Sequence, residues 1–296
     1  MNQKQFGSTE STGRKLDVIH EYLSMYQKAL GSTPLKTLYI DGFAGSGEVP
    51  IGKVAEGLFN DEDVQTVMAG SADRAMNVDP PFDRYIFVDK RKKCIGDLKS
   101  KFKDHPLFEQ TDYYVGDANY HIKKICEKEQ WRFQRGVVFL DPFGNQVEWD
   151  TIEAIARTNA LDLWYLFPAG LGVFRQIGRD GRVDSTHEES ITRILGTDEW
   201  KTAFFKPSKQ ADLFDDTMTR EKVVTPESAA QFAIERLKAL FEGGVMDEMI
   251  PLGRLSYPSY YLLFAWGNAT PKATALASRL SKAAVKAVGR KNGRIV

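Results

Sequence analysis

The segment Asp41-Gly42-Phe43-Ala44-Gly45-Ser46-Gly47 has the spacing with the most chemical content in this chain. It follows a short apolar run, Thr37-Leu38-Tyr39-Ile40, so the glycines stand where a buried strand gives way to a turn. Glycine is required where backbone takes a positive φ or approaches a ligand with no Cβ between them. At the C-terminal edge of a parallel sheet, such a loop can hold a nucleotide or nucleoside. The pattern is G-x-x-G-x-G. It is not the G-x-G-x-x-G of dinucleotide enzymes, and no G-K-[ST] follows to make a phosphate-binding loop. A tight strand-to-helix turn with no ligand is the plain alternative.

Three more carboxylates follow apolar runs. Asp89 follows Tyr85–Val88, where it could accept two hydrogen bonds from ribose hydroxyls, and Asp117 follows Tyr113–Gly116, placed to accept from an adenine amino group. Asp141 follows Val137–Leu140 and opens Asp141-Pro142-Phe143-Gly144. Acids at strand ends also form turns or cap helices. Four of them in register with a glycine loop favour an adenosyl ligand.

Asp41–Gly47 resembles the D-x-F-x-G-x-G cofactor motif of DNA and RNA base methyltransferases. That resemblance implies an S-adenosylmethionine site in which Asp41, Gly42, Phe43, Ala44, Gly45 and Gly47 face the methionine end, with Asp89, Asp117 and Ala118 on the nucleoside. The order of segments also resembles the three-Cys-motif partner protein family. The matching pieces are Lys15–Tyr26, Tyr39–Gly47, Gly70-Ser71 with Arg74-Ala75, Phe82–Val88, Gly116-Asp117-Ala118-Asn119, Gly136–Gly144, Asp162–Pro168 and Arg193–Trp200. They cover most of residues 15–205, and the match loosens after Pro207. The family name implies a separate radical-type partner that carries three cysteines.

In amino-group methyltransferases a D-P-P-Y-type motif holds the target amino group through its carboxylate and a backbone carbonyl, and its aromatic stacks on a base drawn out of its helix. Positioning and desolvation then carry most of the rate. Asp141-Pro142-Phe143 resembles this motif, with Phe where the second proline would stand and Gly144 at the fourth position. Asp141, Pro142 and Phe143 are therefore the catalytic candidates. Phe143 either stacks on a base or packs against the sheet.

The elements that must position these residues alternate in type. Helical spacing recurs over Arg14–Leu30, Arg91–Phe102, His121–Glu129 and Asp150–Arg157, between the apolar runs at 37–40, 85–88, 113–115, 137–140 and 161–167. Alternation of this kind implies a parallel sheet covered on both faces. Val245–Leu255 and Tyr260–Trp266 read as two adjacent strands, with Ser256-Tyr257-Pro258-Ser259 as the turn. The predicted fold is α/β, a Rossmann-like class I methyltransferase three-layer sandwich, mostly parallel with an antiparallel final strand and a mostly helical insertion. Residues 1–13 read as a flexible tail, and 14–296 as a single domain with insertions at about 48–83 and 172–225. Gly70-Ser71 suggests an N-cap for a helix through Asn77. Thr225-Pro226-Glu227 starts a helix that Gly243 should close.

Composition narrows the partners. With 40 cations and 40 anions in 296 residues, no global charge argues for nucleic acid or membrane, so any electrostatic footprint is local. From Pro271 to Val296 there are cations and no acid, and Arg279, Lys282, Lys286 and Arg290 fall on one helical face opposite Leu276, Leu280 and Val288. This stripe either neutralises nucleic-acid phosphates or is solvated surface. Arg175, Arg179 and Arg182 in the second insertion either grip substrate or sit in water. Cys94 and Cys126 stand far apart, which argues against a disulfide framework and a structural zinc site; no metal is expected. Neither a signal peptide nor a stretch long enough to span a membrane is present, so the expected location is cytoplasmic. His121 and His187 have no partner at catalytic spacing, and Trp131, Trp149 and Trp164 read as core. Two functions remain: a methyltransferase acting on a base nitrogen of nucleic acid or a nucleotide, and an accessory adenosyl-binding partner of a three-cysteine protein.

Overall fold

A computed structural model describes residues 7–50, 67–207, 220–254 and 257–291. The chain begins with α1 (Gly7–Leu30), β1 (Lys36–Asp41), the antiparallel pair β2 (Glu48–Pro50) and β3 (Val67–Ala69), and α2 (Ser71–Met76). It continues through β4 (Arg84–Asp89), α3 (Lys92–Phe102), β5 (Thr111–Val115), α4 (Ala118–Lys128) and β6 (Gln134–Leu140). Next come α5 (Trp149–Arg157), β7 (Leu161–Phe167), α6 (Ser185–Leu195), α7 (Trp200–Ala203), β8 (Phe205–Pro207) and β9 (Arg220–Lys222). The last elements are α8 (Pro226–Lys238), β10 (Gly244–Val245), β11 (Ile250–Arg254), β12 (Tyr257–Trp266) and α9 (Pro271–Lys291). The fold class is Rossmann-like α/β of the class I methyltransferase type, mostly parallel with an antiparallel final strand and flanked by helices.

Two compact units divide the chain. One comprises Met1–His121, Gln130–Phe139 and Ala275–Val296, the other Ile122–Glu129 and Leu140–Thr274. In the first, β6, β1, β4 and β5 pair in that order, all parallel. Their C-terminal ends therefore share one edge. Leu38–Asp41, Tyr85–Asp89 and Gly136–Phe139 are buried on every residue, which is why these strands read as unbroken apolar runs rather than alternating ones. α1 buries Leu16, Ile19, Tyr22, Leu23 and Tyr26 at helical spacing, and Tyr26 stacks on Phe82 with ring centroids 6.1 Å apart.

Several boundaries differ from the sequence reading. The tail expected over 1–13 is helical from Gly7, because extending a nucleated helix through polar residues without proline costs little. Residues 1–6 lie outside the described residues. Within the expected Gly70-Ser71, Gly70 takes the N-cap of α2, and Asn77 is its C-cap. Trp149 and Trp164 are core, whereas Trp131 is only half-buried.

In the second unit β12 runs antiparallel to β7, and β10 and β11 both pair with β12. Every residue of β7 is buried, and Trp164 packs on Phe264 at 4.5 Å between ring centroids. The predicted turn at 256–259 is corrected: Tyr257, Pro258 and Ser259 belong to β12, and residues 255–256 lie outside the described residues. Pro258 is tolerated because it sits opposite Gly253, beside a register shift where the ladder is already interrupted.

Among its described residues the insertion combines helices with a two-stranded element. α7 is one turn, and Phe205 leaves it to open the two-stranded β8–β9 pair, which Lys206–Glu221 bridges at 3.2 Å. α8 begins as predicted, with Pro226 at its first position. Ser228 N donates to Thr225 Oγ1 at 3.0 Å, and Thr225 N donates to Ser228 Oγ at 2.8 Å. It ends at Lys238, before Gly243. Glycine is needed at 243 for close approach instead, since a Cβ there would stand 2.3 Å from Trp266 O.

Candidate functional site

The loop after β1 is held by its own backbone at the shared strand edge of the first unit. Gly42 N donates to Phe139 O at 3.0 Å, on β6, and Ala44 N donates to Val88 O at 2.9 Å, on β4. Gly45 N donates to the Asp89 carboxylate at 3.0 Å, and Gly116 N closes the row on Asp89 O at 3.1 Å. Asp41 is fully buried and accepts from Phe43 N at 3.0 Å, an Asx turn that sets the direction of the chain leaving β1.

Two glycines of the motif have different causes. At Gly45, φ is +63° and nothing lies within 4 Å of where a Cβ would be. Packing does not demand the glycine; the left-handed backbone does, and the space a Cβ would take is open. At Gly47, φ is +80° and a Cβ would meet Leu98 Cδ1 at 2.7 Å. That glycine serves contact with α3, and its carbonyl accepts from Gly70 N at 3.0 Å and Lys101 Nζ at 3.2 Å. Asp41, Gly42, Phe43, Ala44 and Gly45 are brought together at this strand edge, with Asp89 adjoining.

Asp89 ends β4 almost completely buried. Burial raises its pKa, but hydrogen bonds from the Arg91 side chain and backbone, the Arg91 charge and Gly45 N outweigh it, so the carboxyl lies below its ordinary value. Arg91 Nε and Nη2 reach the two carboxylate oxygens at 3.1 and 3.2 Å. The Arg91 side chain is itself 69% exposed. Nothing in the sequence distinguished Arg91 from the other cations near α3.

Asp117 is exposed and precedes α4, where its carboxylate accepts from Tyr120 N at 3.2 Å. It is therefore a helix cap as well as a strand-end acid, with Ala118 and Asn119 buried behind it. His121 acquires a structural role: it stacks on Tyr114 with ring centroids 5.0 Å apart, and its Nε2 would stand 2.6 Å from a Cβ at Gly116.

Asp141 is the residue after β6 and belongs to the second unit. Pro142 is buried, while Phe143 is 85% exposed, so Phe143 does not pack against the sheet. Its backbone N–H donates to Gln146 Oε1 at 3.2 Å, and Gly144 takes φ +71°. The Gly144 N–H donates to the Tyr260 hydroxyl; burial, that bond notwithstanding, and the Asp141 charge push Tyr260 above its ordinary pKa. Asn145 is buried and its Nδ2 donates to Gly172 O at 2.7 Å and Ser190 Oγ at 2.8 Å. Arg193 Nη2 holds its carbonyl at 2.9 Å. Tyr260 and Asn145 escaped the sequence reading because their partners are more than twenty residues away.

The four parallel strands with acids at one edge, and a glycine loop pinned among them, form the C-terminal strand edge of a Rossmann-like α/β sheet. Among solved structures, the chain is similar to a Legionella pneumophila protein described with the family model DUF519, at 10% identity over 93% of this chain and 92% of that one, TM-score 0.47. It is also similar to an S-adenosylmethionine-dependent methyltransferase from Clostridium acetobutylicum (11% identity, 86% and 92% covered, TM-score 0.39). A third is an rRNA methylase from Streptococcus thermophilus (12% identity, 70% and 95% covered, TM-score 0.30). No family model and no curated protein sequence matches the chain. No helix among the described residues is long and apolar enough to cross a membrane.

Gly45→Val should abolish S-adenosylmethionine binding in calorimetry while leaving the circular dichroism spectrum folded, at a strain cost of about 1–2 kcal/mol for a side chain in the left-handed region. Unchanged affinity would place the ligand elsewhere. Asp89 gives a pH test. Its folded pKa lies below the ordinary value of about 3.9, so its bonds stabilise fully above about pH 4 and are lost as pH falls through the folded value. The stability gap between the wild type and Asp89→Asn should be flat at neutral pH and shrink in acid. A gap in urea midpoints that ignores pH contradicts the assignment.

Proposed function

We propose that this protein transfers a methyl group from S-adenosylmethionine to a nitrogen of a nucleobase, in nucleic acid or a nucleotide. The observation that supports the donor half is the open left-handed backbone at Gly45, beside the buried acids Asp41 and Asp89. When bound, S-adenosylmethionine supplies an electrophilic methyl on a sulfonium that already leaves well. Asp41 and the Gly42–Gly45 backbone hold its methionine end. Asp89 accepts from the ribose, and Asp117 and Ala118 border the adenine.

The acceptor half rests on Asp141-Pro142-Phe143. Asp141 and a neighbouring carbonyl hold the amino group and fix which lone pair is presented, while Phe143 stacks on the ring. An aromatic side chain left 85% exposed on a loop whose Phe143 N–H and Asn145 carbonyl are both hydrogen-bonded supports stacking over packing. Arg279, Lys282 and Lys286 are exposed on α9, and among the described residues none forms an ion pair. They are the proposed phosphate contacts of the C-terminal stripe.

The segment order across residues 15–205 supports a second reading, an accessory adenosyl-binding partner of a three-cysteine radical-type protein. Gly144 in place of the terminal aromatic favours it. Incubation with methyl-labelled cofactor against separate pools of DNA, RNA, protein and small metabolites separates the two. The methyltransferase reading expects label in nucleic acid or nucleotides; binding without turnover on any pool supports the accessory role. Asp141→Ala should retain cofactor affinity and lose at least about 100-fold in transfer rate, on the scale of lost positioning. Undiminished incorporation would remove Asp141 from the reaction.

A further inference from the structure

The second unit carries a surface that the acceptor loop alone does not explain. Phe143 heads a chain of contacts within this unit. Two residues on, Asn145 Nδ2 binds Gly172 O and approaches Gln176 Oε1 at 3.4 Å. Between them Phe174 packs edge-on against Tyr257, ring centroids 4.8 Å apart, and Tyr257 remains partly exposed. Lys222 locks this segment from beneath. Its Nζ donates to Phe174 O at 2.6 Å and Ile177 O at 2.8 Å and lies 3.3 Å from the centre of the Phe174 ring. Lys222 is thus consumed internally.

Arg175 and Arg179 are not. Both are exposed, and among the described residues neither forms an ion pair. The nearby acids are committed elsewhere: Asp180 to Arg182 at 3.5 Å, Glu221 to Lys206 at 3.2 Å, and Glu188 to Lys201 at 3.3 Å. Arg179 even lies close enough to Lys222 to disfavour its charge, after burial the next cause of a lowered lysine pKa. Like charges held together in a chain of zero net charge are best relieved by an anion from outside.

We infer that this face binds single-stranded nucleic acid, with Arg175 and Arg179 on successive phosphates and Phe143 and Tyr257 against unstacked bases. Guanidinium forks match phosphate geometry bidentately, and exposed aromatic rings offer stacking that suits any base. A duplex keeps its bases away from such rings. The inference rests on the proposed nucleobase acceptor and adds what grips the rest of the polymer.

The test is fluorescence anisotropy with RNA and DNA single strands of one sequence, about 12 nucleotides long, titrated with the full chain from roughly 50 to 200 mM salt. The Arg175→Ala/Arg179→Ala double variant should weaken binding about tenfold or more and reduce the salt slope by about 1.4, or 0.7 per phosphate contact. Phe143→Ala should weaken binding and leave the slope unchanged. Both variants alter exposed side chains and should melt with the wild type. Wild-type affinity and slope in the double variant overturn the inference. So does an equal preference for duplex, or a slope that responds only to Lys282→Gln/Lys286→Gln. Arginine-dependent binding without methyl incorporation would defeat the methyltransferase reading and leave this surface standing. Methylated nucleic acid with indifferent arginine variants would do the reverse.

Discussion

Everything at the candidate donor site depends on where the loop after β1 sends its amides. Gly42, Ala44 and Gly45 donate to β6, to β4 and to the side chain that ends β4, so the loop cannot rise away from the sheet or collapse onto it. Buried main-chain donors must be satisfied, and here the partners are neighbouring strand ends rather than a following helix. The chain therefore passes the edge in a left-handed step at Gly45, and the space a side chain would take stays open. The glycine is a consequence of the tethering.

Strand direction does the rest of the positioning. Because β6, β1, β4 and β5 are all parallel, Asp41 and Asp89 end up on one edge with Asp117 just beyond it. Their surroundings then separate their roles. Asp89 is buried, and Arg91 and the Gly45 amide hold its carboxyl below its ordinary pKa despite that burial. Asp117 is exposed and caps α4, which suits contact at the rim. In the second unit, rigidity again comes from side chains bonding to backbone, with Asn145, Arg193 and Tyr260 holding a loop whose aromatic tip faces water.

How much of this was readable beforehand follows from the range of the forces involved. The buried parallel strands were legible because both faces are covered, so their sequences are continuously apolar: β1, β4 and β7 fall within a residue of expectation, while β6 ends where expected and starts three residues earlier, through half-buried Gln134 and Arg135. The start of α8 was legible because capping is local to Thr225, Pro226 and Ser228. What escaped was set by distant partners. Gly243 looked like a helix stop and is a contact with Trp266. Gly47 looked like part of a cofactor loop, yet Leu98 of α3 explains it. Pro258 looked like a turn and lies in a strand, because the register shift opposite it removes the need for its missing donor. The second insertion looked mostly helical, and Phe205 lies in a strand there because β9 supplies a partner. Asp41–Gly45 and the strand-end acids could be named as candidates from spacing alone, whereas Arg91 and the packing of His121 under Gly116 required the fold.

We propose that the 42–45 backbone and the carboxylate of Asp89 line one adenosyl site. Hydrogen–deuterium exchange with and without S-adenosylmethionine measures this most directly. Added ligand should slow exchange in peptides covering 41–47 and 88–92 and leave the α8 peptide at 226–238 unchanged. Saturation that leaves 41–47 and 88–92 unaltered would contradict the account.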